Sequence, residues 1–260
     1  MKILFIGDIT GRPGRNATKE ALKMLNKKHE FDLVIANGEN LAHGAGMSKK
    51  TFEEMTEAGV DFFTSGNHIF RRGDIYPELE KAHTKVLRPA NYPPGNIGKG
   101  CQIVTKKGKK ILVINIIGRV FFSDNYDCPF RKMDEILEEF KHEKPDAVIV
   151  DFHAEATSEK IAMRHYLDGR VTALLGTHTH VQTADDMVTE KGTAYITDVG
   201  MVGPIDSIIG AEKNTVLEGF LKQTGFSLDI PSGPCIFNAV VIEISGKAKA
   251  KSIERINIII

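Results

Sequence analysis

Short apolar runs alternate with stretches of helical periodicity along this chain. The runs 3-ILFI-6, 33-LVIA-36, 61-DFFTS-65, 111-ILVINII-117, 147-AVIVDF-152, 171-VTALL-175, 193-TAYIT-197 and 237-FNAVVIEI-244 predict strands. They are rich in Val, Ile and Phe, and Gly, Asp or Asn bounds them. Between them, 49-KKTFEEMTEA-58 reads as a helix capped by Ser48 and stopped by Gly59, with Phe52 and Met55 on its inner face. Met133, Ile136, Leu137 and Phe140 keep helical spacing within 131–143. Further helices are predicted over 158–168, ending at Gly169, and over 212–224, ending at Gly225.

Strand–helix alternation through the first two-thirds predicts an α/β protein with largely parallel, buried strands. No internal repeat or low-complexity linker interrupts it, so residues 1–260 read as a single domain. The Pro/Gly-rich segment 88–100 reads as a long surface loop, because an apolar strand follows it. The loop-rich region 199–212 reads as a cap or an oligomer contact.

The polar residues fall at particular places. Strand 3–6 is followed by Gly7-Asp8, and 33–36 by Asn37-Gly38-Glu39-Asn40. The run 61–65 leads to Gly66-Asn67-His68, 147–152 to His153, and 171–175 to Gly176-Thr177-His178-Thr179-His180. Open α/β sheets bind ligands at the carboxyl ends of their strands. Five strand ends here each deliver Asp, Glu, Asn or His, usually just past a glycine that lets the backbone turn sharply. In extended backbone His178 and His180 would face one side, as a shared metal requires. The donors are carboxylate, amide oxygen and imidazole without sulfur, a set that suits iron, manganese or zinc. Six or seven donors exceed the needs of one tetrahedral ion, which points to two ions sharing a bridge. Glu39 is the natural bridging carboxylate, and metal-assisted phosphoester hydrolysis is the chemistry such a pair supports.

Composition narrows the alternatives. Lys plus Arg and Asp plus Glu each number 34, so the formal charge is zero, which removes the simplest case for a protein coating nucleic acid or an anionic membrane. A local basic patch in a cleft is still compatible with that balance. Cys101, Cys128 and Cys235 are scattered and odd in number, against a disulfide framework or a thiolate zinc site. The N-terminal MKILFIGD is too short in its apolar part for a signal peptide, and no stretch reaches membrane-spanning length. A cytoplasmic protein is expected. Walker, nucleophile-elbow and dinucleotide motifs are absent.

The ordered motifs GD at 7–8, GEN at 38–40, GNH at 66–68, His153 and GTHTH at 176–180 resemble those of calcineurin-like metallophosphoesterases. That family's pattern is D-x-H, GD-x-x-D, GN-H-[DE], H and GH-x-H. Here Ile9 and Thr10 follow Asp8, so the D-x-H histidine is missing, and Glu39-Asn40 stands where the bridging aspartate is expected. With 198-DVGMVGP-204, these departures resemble the bacterial YmdB-like phosphodiesterases over nearly the whole chain. The resemblance implies a four-layer α/β/β/α sandwich and a di-iron enzyme, with manganese or zinc as alternatives. The implied activity is hydrolysis of cyclic nucleotides by a bridging hydroxide, 2′,3′-cyclic ones first and 3′,5′-cAMP next.

It further implies one ion on Asp8, Glu39, Asn40 and His180, another on Glu39, Asn67, His153 and His178, and His68 as general acid. Asn40 would take the place of the missing D-x-H histidine. A phosphomonoesterase or protein phosphatase is the rival enzyme. A regulatory RNA-associated protein with a mainly structural metal centre is the rival of another class. No membrane or stable nucleic-acid partner is expected, and a homo-oligomer is compatible with the sequence. His29, His83 and His142 read as surface residues, His165 as structural within its helix, and His43 as a solvated loop residue. Arg12 and Arg15 read as a charged, solvated turn before a helix, and Asp124 and Asn125 as cleft candidates.

Overall fold

The computed structural model describes residues 1–225, 227, 229–246 and 248–260. One sheet contains β1 (Lys2–Ile6), β2 (Asp8–Ile9), β3 (Leu33–Asn37), β4 (Phe62–Thr64), β11 (Met201–Pro204), β12 (Cys235–Ser245) and β13 (Lys249–Ile259). Its order is β2-β11-β12-β1-β3-β4, with β13 paired along β12. The other contains β5 (Cys101–Lys106), β6 (Lys109–Ile117), β7 (Ala147–His153), β8 (Ala173–Thr177), β9 (Met187–Val188) and β10 (Ala194–Ile196), in the order β5-β6-β7-β8-β10-β9. The helices are α1 (Gly11–Leu25), α2 (Lys49–Glu57), α3 (Tyr76–Leu79), α4 (Pro129–Glu139), α5 (Thr157–Leu167) and α6 (Lys213–Lys222). None of them is long and apolar enough to cross a membrane.

The central pairs β1–β3, β3–β4, β6–β7, β7–β8 and β8–β10 are parallel, as strand–helix alternation predicts. The long β12–β13 pair is antiparallel and follows the last described helix.

Alternation along each strand explains the four layers. In β1, Ile3 and Phe5 face the other sheet, while Leu4 and Ile6 face the α1/α2 side with Ala21, Leu22 and Met55. In β7, Ala147 and Ile149 join the inter-sheet core, whereas Val148, Val150 and Phe152 pack on Met133, Ile136, Met163 and Leu167 of α4 and α5. Each sheet thus buries two faces, and the architecture is an α/β/β/α sandwich.

The inter-sheet face changes character along the strands. It is apolar at their start, at Leu33 and Ile35, Ile111 and Val113, Ala147 and Ile149, Ala173 and Leu175. Two residues further on, the same period delivers Asn37, Asn115, Asp151 and Thr177, all fully buried. A greasy interface therefore ends in a polar floor at the carboxyl edge of both sheets.

Several expected boundaries move. The strand expected at 171–175 runs instead over Ala173–Thr177. The last described helix stops at Lys222 on Gln223, whose φ is +52°, and not at Gly225. Residues 12–15 are no solvated turn but the opening of α1, where half-buried Arg15 bonds Glu54 and the Leu41 carbonyl. His165 sits on the exposed face of α5 beside Arg164 rather than in the packing. Ser48 caps α2 as expected, in a reciprocal box with Thr51.

Candidate active site

His153 is the last residue of β7 and is fully buried; Thr177 is its register partner at the end of β8. The His153 Nδ1 lies 2.9 Å from the Thr177 hydroxyl. Thr177 donates its own proton to Asp151 Oδ1 at 2.8 Å, so the His153 Nδ1–H must be the donor. That fixes the tautomer and leaves the lone pair on Nε2. Asp151 also accepts from Asn37 Nδ2 (2.9 Å) and from the Thr64 hydroxyl. Burial raises the Asp151 carboxyl to about 7, against the three donors that favour its ionised form.

Glu39, 2 % exposed, follows β3. Its carboxylate accepts the backbone N–H groups of Gly66 and His68, each at 2.5 Å. Asn67 is the middle residue of that grip. Gly66 is a steric requirement, because a Cβ there would meet the His153 ring at 2.2 Å. Asp8 Oδ2 accepts the His178 backbone N–H at 3.2 Å.

Around these residues the side chains converge. Asp8 Oδ1 stands 3.9 Å from His153 Nδ1 and 3.8 Å from His180 Nε2, and Glu39 Oε1 stands 3.8 Å from His153 Nε2 and 3.3 Å from His68 Nδ1. His178 Nδ1 is 3.0 Å from His153 Nε2, and its Nε2 is 3.0 Å from Glu155. Asn40 shares a cleft of about 380 Å³ with Glu39, His68, His178 and His180. Ile208, Ile209, Val216, Phe220 and Ile230 supply its apolar wall.

The two histidines of the GTHTH segment do meet, but not by strand alternation. β8 ends at Thr177, and His178 (φ +100°) and His180 (φ +67°) both take left-handed backbone that side chains disfavour. The loop is held from behind. Lys160, 1 % exposed, donates to the Thr177 carbonyl and to Asp198 Oδ2, both at 2.8 Å. Asp198 in turn accepts from the Thr179 N–H and hydroxyl and from the Gly200 N–H. A buried ion pair thus anchors strained backbone, as functional loops often require.

Burial pushes Asp8 up to about 6 and Glu39 well above the usual carboxylate range. Burial, then His180 and Lys160, bring His178 down to about 4, and burial, then His178, holds His153 well below 6.5. Clustered acids and imidazoles thus each resist carrying charge where no counter-charge is supplied.

Among the described residues, no three carboxylate, imidazole or thiol groups already stand at metal-ligand spacing. The donor set nevertheless fits a cation. Asp8 Oδ1, Asn40 Oδ1 and Asn67 Oδ1 are buried with no hydrogen-bond partner, a costly condition that a cation would relieve. All the donors are oxygen or imidazole nitrogen, which suits iron, manganese or zinc.

All seven predicted ligand positions and His68 therefore lie on one polar floor or on the turns beside it. Asp124 and Asn125 line a neighbouring cavity with Asn67, Arg71 and Tyr126. His43 is exposed, with φ +55°. Sequence reading missed Asp151, Thr177, Lys160 and Asp198 as supporting groups. A carboxylate inside the apolar run AVIVDF was a usable signal for Asp151, whereas the lysine within α5 had none.

Known proteins are similar to this chain over nearly its whole length. The family model described as "YmdB-like protein" matches residues 4–256. A Bacillus subtilis (strain 168) protein named 2′,3′-cyclic-nucleotide 2′-phosphodiesterase is 44% identical over 257 residues, covering 98% of this chain and 96% of that one. The crystal structure of a novel phosphatase from Mycoplasma pneumoniae superposes with a TM-score of 0.93 at 37% identity, over 100% of this chain and 93% of that one. A 5′-nucleotidase precursor from Thermus thermophilus shares the fold at a TM-score of 0.59 and 10% identity, covering 100% of this chain and 54% of that chain.

Proposed function

The chain belongs to the YmdB-like protein family and is a phosphoesterase; from that premise we propose that it is a metal-dependent phosphodiesterase that opens 2′,3′-cyclic nucleotides. The buried, partnerless oxygens of Asp8, Asn40 and Asn67 carry the proposal, because they are the positions the family pattern assigns to cations. Asp8, Glu39, Asn40 and His180 would hold one ion, and Glu39, Asn67, His153 and His178 the other, with iron first among the metals that suit these donors. When bound, the ions supply a nucleophilic water at neutral pH and neutralise the phosphoryl oxygens.

The chain's own residues do the rest. The Asp151–Thr177 relay orients His153, and Glu39 is held by two backbone donors before any substrate arrives. The apolar wall of Ile208, Ile209, Val216 and Ile230 suits the face of a nucleobase, and the polar floor suits the phosphate. A water oxygen bonds to phosphorus as the bond to the 2′ oxygen breaks. His68, lining the cleft, gives that leaving oxygen a proton, so the product is a 3′-phosphate with a free 2′-hydroxyl. Burial, with Arg71, holds His68 below 6.5. Its protonated fraction falls as pH rises, and turnover that depends on it should decline toward alkaline pH.

The test compares His68→Ala on 2′,3′-cyclic AMP and on bis-p-nitrophenyl phosphate. Loss of a general acid should lower kcat by about 10²–10⁴ on the poor ribose leaving group and far less on nitrophenolate, with metal content unchanged. Equal losses on both would remove the acid role. A wild-type preference for p-nitrophenyl phosphate over both diesters would instead make the protein a monoesterase.

A further inference from the structure

The 40–46 loop is a wall between two spaces. Asn40 and Gly44 line the cleft just described, while Ala42 and His43 line a second cavity of about 750 Å³. Five cationic side chains surround that cavity: Arg12, Arg15, Lys19, Lys50 and Arg72. Two carboxylates, Glu54 and Asp74, oppose them. Glu54 is shared by Arg15 (2.7 Å) and Lys19 (2.6 Å), so one negative charge meets two positive ones. Arg72 spends its guanidinium on the Ala42 and Ala45 carbonyls, neutral acceptors that leave its charge in place. Arg12 and Lys50 are exposed. In a chain of zero formal charge, this excess is a local feature and not a consequence of composition.

The arrangement has a direction. Arg12, Arg15 and Lys19 sit at i, i+3 and i+7, along one face of α1. At 1.5 Å rise per residue the ladder is about 10 Å long, room for successive phosphates of an extended strand. It starts beside the catalytic cleft, since the first residue of α1, Gly11, donates its N–H to the Asn40 carbonyl at 2.9 Å. From there it leads away. A free mononucleotide, whose one phosphate sits on the polar floor, has no use for such a ladder. A nucleotide that terminates a longer chain does.

We propose that this groove is a subsite for the sugar–phosphate backbone of an oligoribonucleotide whose 3′ end carries a 2′,3′-cyclic phosphate. The proposal rests on the phosphodiesterase reading and extends it from free cyclic nucleotides to RNA termini. Such ends form when an RNA 2′-hydroxyl attacks its neighbouring phosphodiester and expels the next 5′ oxygen. The enzyme would therefore act after RNA cleavage of that class. The cations would track the backbone without reading sequence.

The experiment measures kcat/KM of the metal-loaded wild type and of R12E/K50E on 2′,3′-cyclic AMP and on a tetraribonucleotide ending in 2′,3′-cyclic phosphate. The wild type should prefer the tetranucleotide by about tenfold or more in low salt. That preference should fall with salt at a log–log slope of about −1.4 to −2, for two to three neutralised phosphates at about 0.7 each. R12E/K50E should lose the preference and keep its rate on the mononucleotide. Anisotropy of a fluorescein-labelled, 3′-phosphorylated tetraribonucleotide reads the groove without turnover, and the variant should bind it at least tenfold more weakly. Turnover of the mononucleotide with no gain from chain length, or a gain that survives R12E/K50E, overturns the subsite alone. Failure to turn over either cyclic substrate sinks the phosphodiesterase reading, and the subsite with it.

Discussion

Thr177→Val removes one hydroxyl from the floor of the site and keeps the β-branched shape. In the wild type that oxygen accepts the His153 Nδ1–H at 2.9 Å and donates to Asp151 at 2.8 Å. After substitution Asp151 retains Thr64 and Asn37, but the fully buried Nδ1–H loses its acceptor. Each group left unsatisfied costs about 1–3 kcal/mol. The metal-free protein should therefore lose about 1–3 kcal/mol, or about 2–12 °C of Tm for a chain of this size. The sharper consequence concerns the tautomer. Without Thr177, nothing forces the proton onto Nδ1 or the lone pair onto Nε2, and loss of such an outer partner weakens metal binding about 10–100-fold. Titration of metal-free protein with manganese or iron(II), read by calorimetry and by metal content after desalting, measures this. Thr177→Ser should restore both affinity and Tm. If Thr177→Val loses stability yet binds metal within twofold of wild type, the relay is a packing feature and His153 is not oriented by it.

Other outcomes are equally open to measurement. Lys160→Met leaves Asp198 buried without its counter-ion, and urea unfolding should show a loss of about 3–5 kcal/mol; a loss under about 1 kcal/mol would mean that the pair does not anchor the GTHTH loop. Gly66→Ala drives a Cβ into the His153 ring and should abolish turnover while near-native circular dichroism persists; retained activity would place His153 outside the site. In EDTA-treated protein, His178 protonates near 4 when folded but near 6.5 when unfolded. That side chain thus binds more proton in the unfolded chain over that window, while the raised carboxyls of Asp8 and Asp151 act the other way. The stability of the wild type relative to His178→Asn should therefore fall as pH drops from about 6.5 toward 4, by about 3 kcal/mol. A difference between the two proteins that does not change with pH would contradict the depressed imidazole. Adding a divalent metal at 100-fold its Kd should raise stability by about 2.7 kcal/mol at neutral pH, and no shift in Tm would argue against a resident cation.

The candidate site was legible because its residues obey a local rule. Asp8, Glu39, Asn40, Asn67, His153, His178 and His180 all follow apolar runs, and period and position can be read one segment at a time. Two of the supporting groups broke that rule. Asp151 belongs to a strand interior and Lys160 to a helix, whereas Thr177 and Asp198 do follow apolar runs but carry no donor type that marks them as supports. The route by which the two GTHTH histidines meet was also hidden, since it runs through positive φ angles and not through extended backbone.

Alternation of apolar and polar positions was enough, by itself, to determine an α/β chain with buried parallel strands and polar strand ends. That pattern reflects hydrophobic burial one element at a time, a free energy that depends on neighbours in sequence. Tertiary structure alone decided that two sheets would pack face to face, so that Asn37 of one reaches Asp151 of the other. It also decided that a buried lysine would hold a strained loop, and that α1 would turn a ladder of cations into the cavity beside the cleft. Those facts depend on distances between residues far apart in the chain, which local periodicity does not encode.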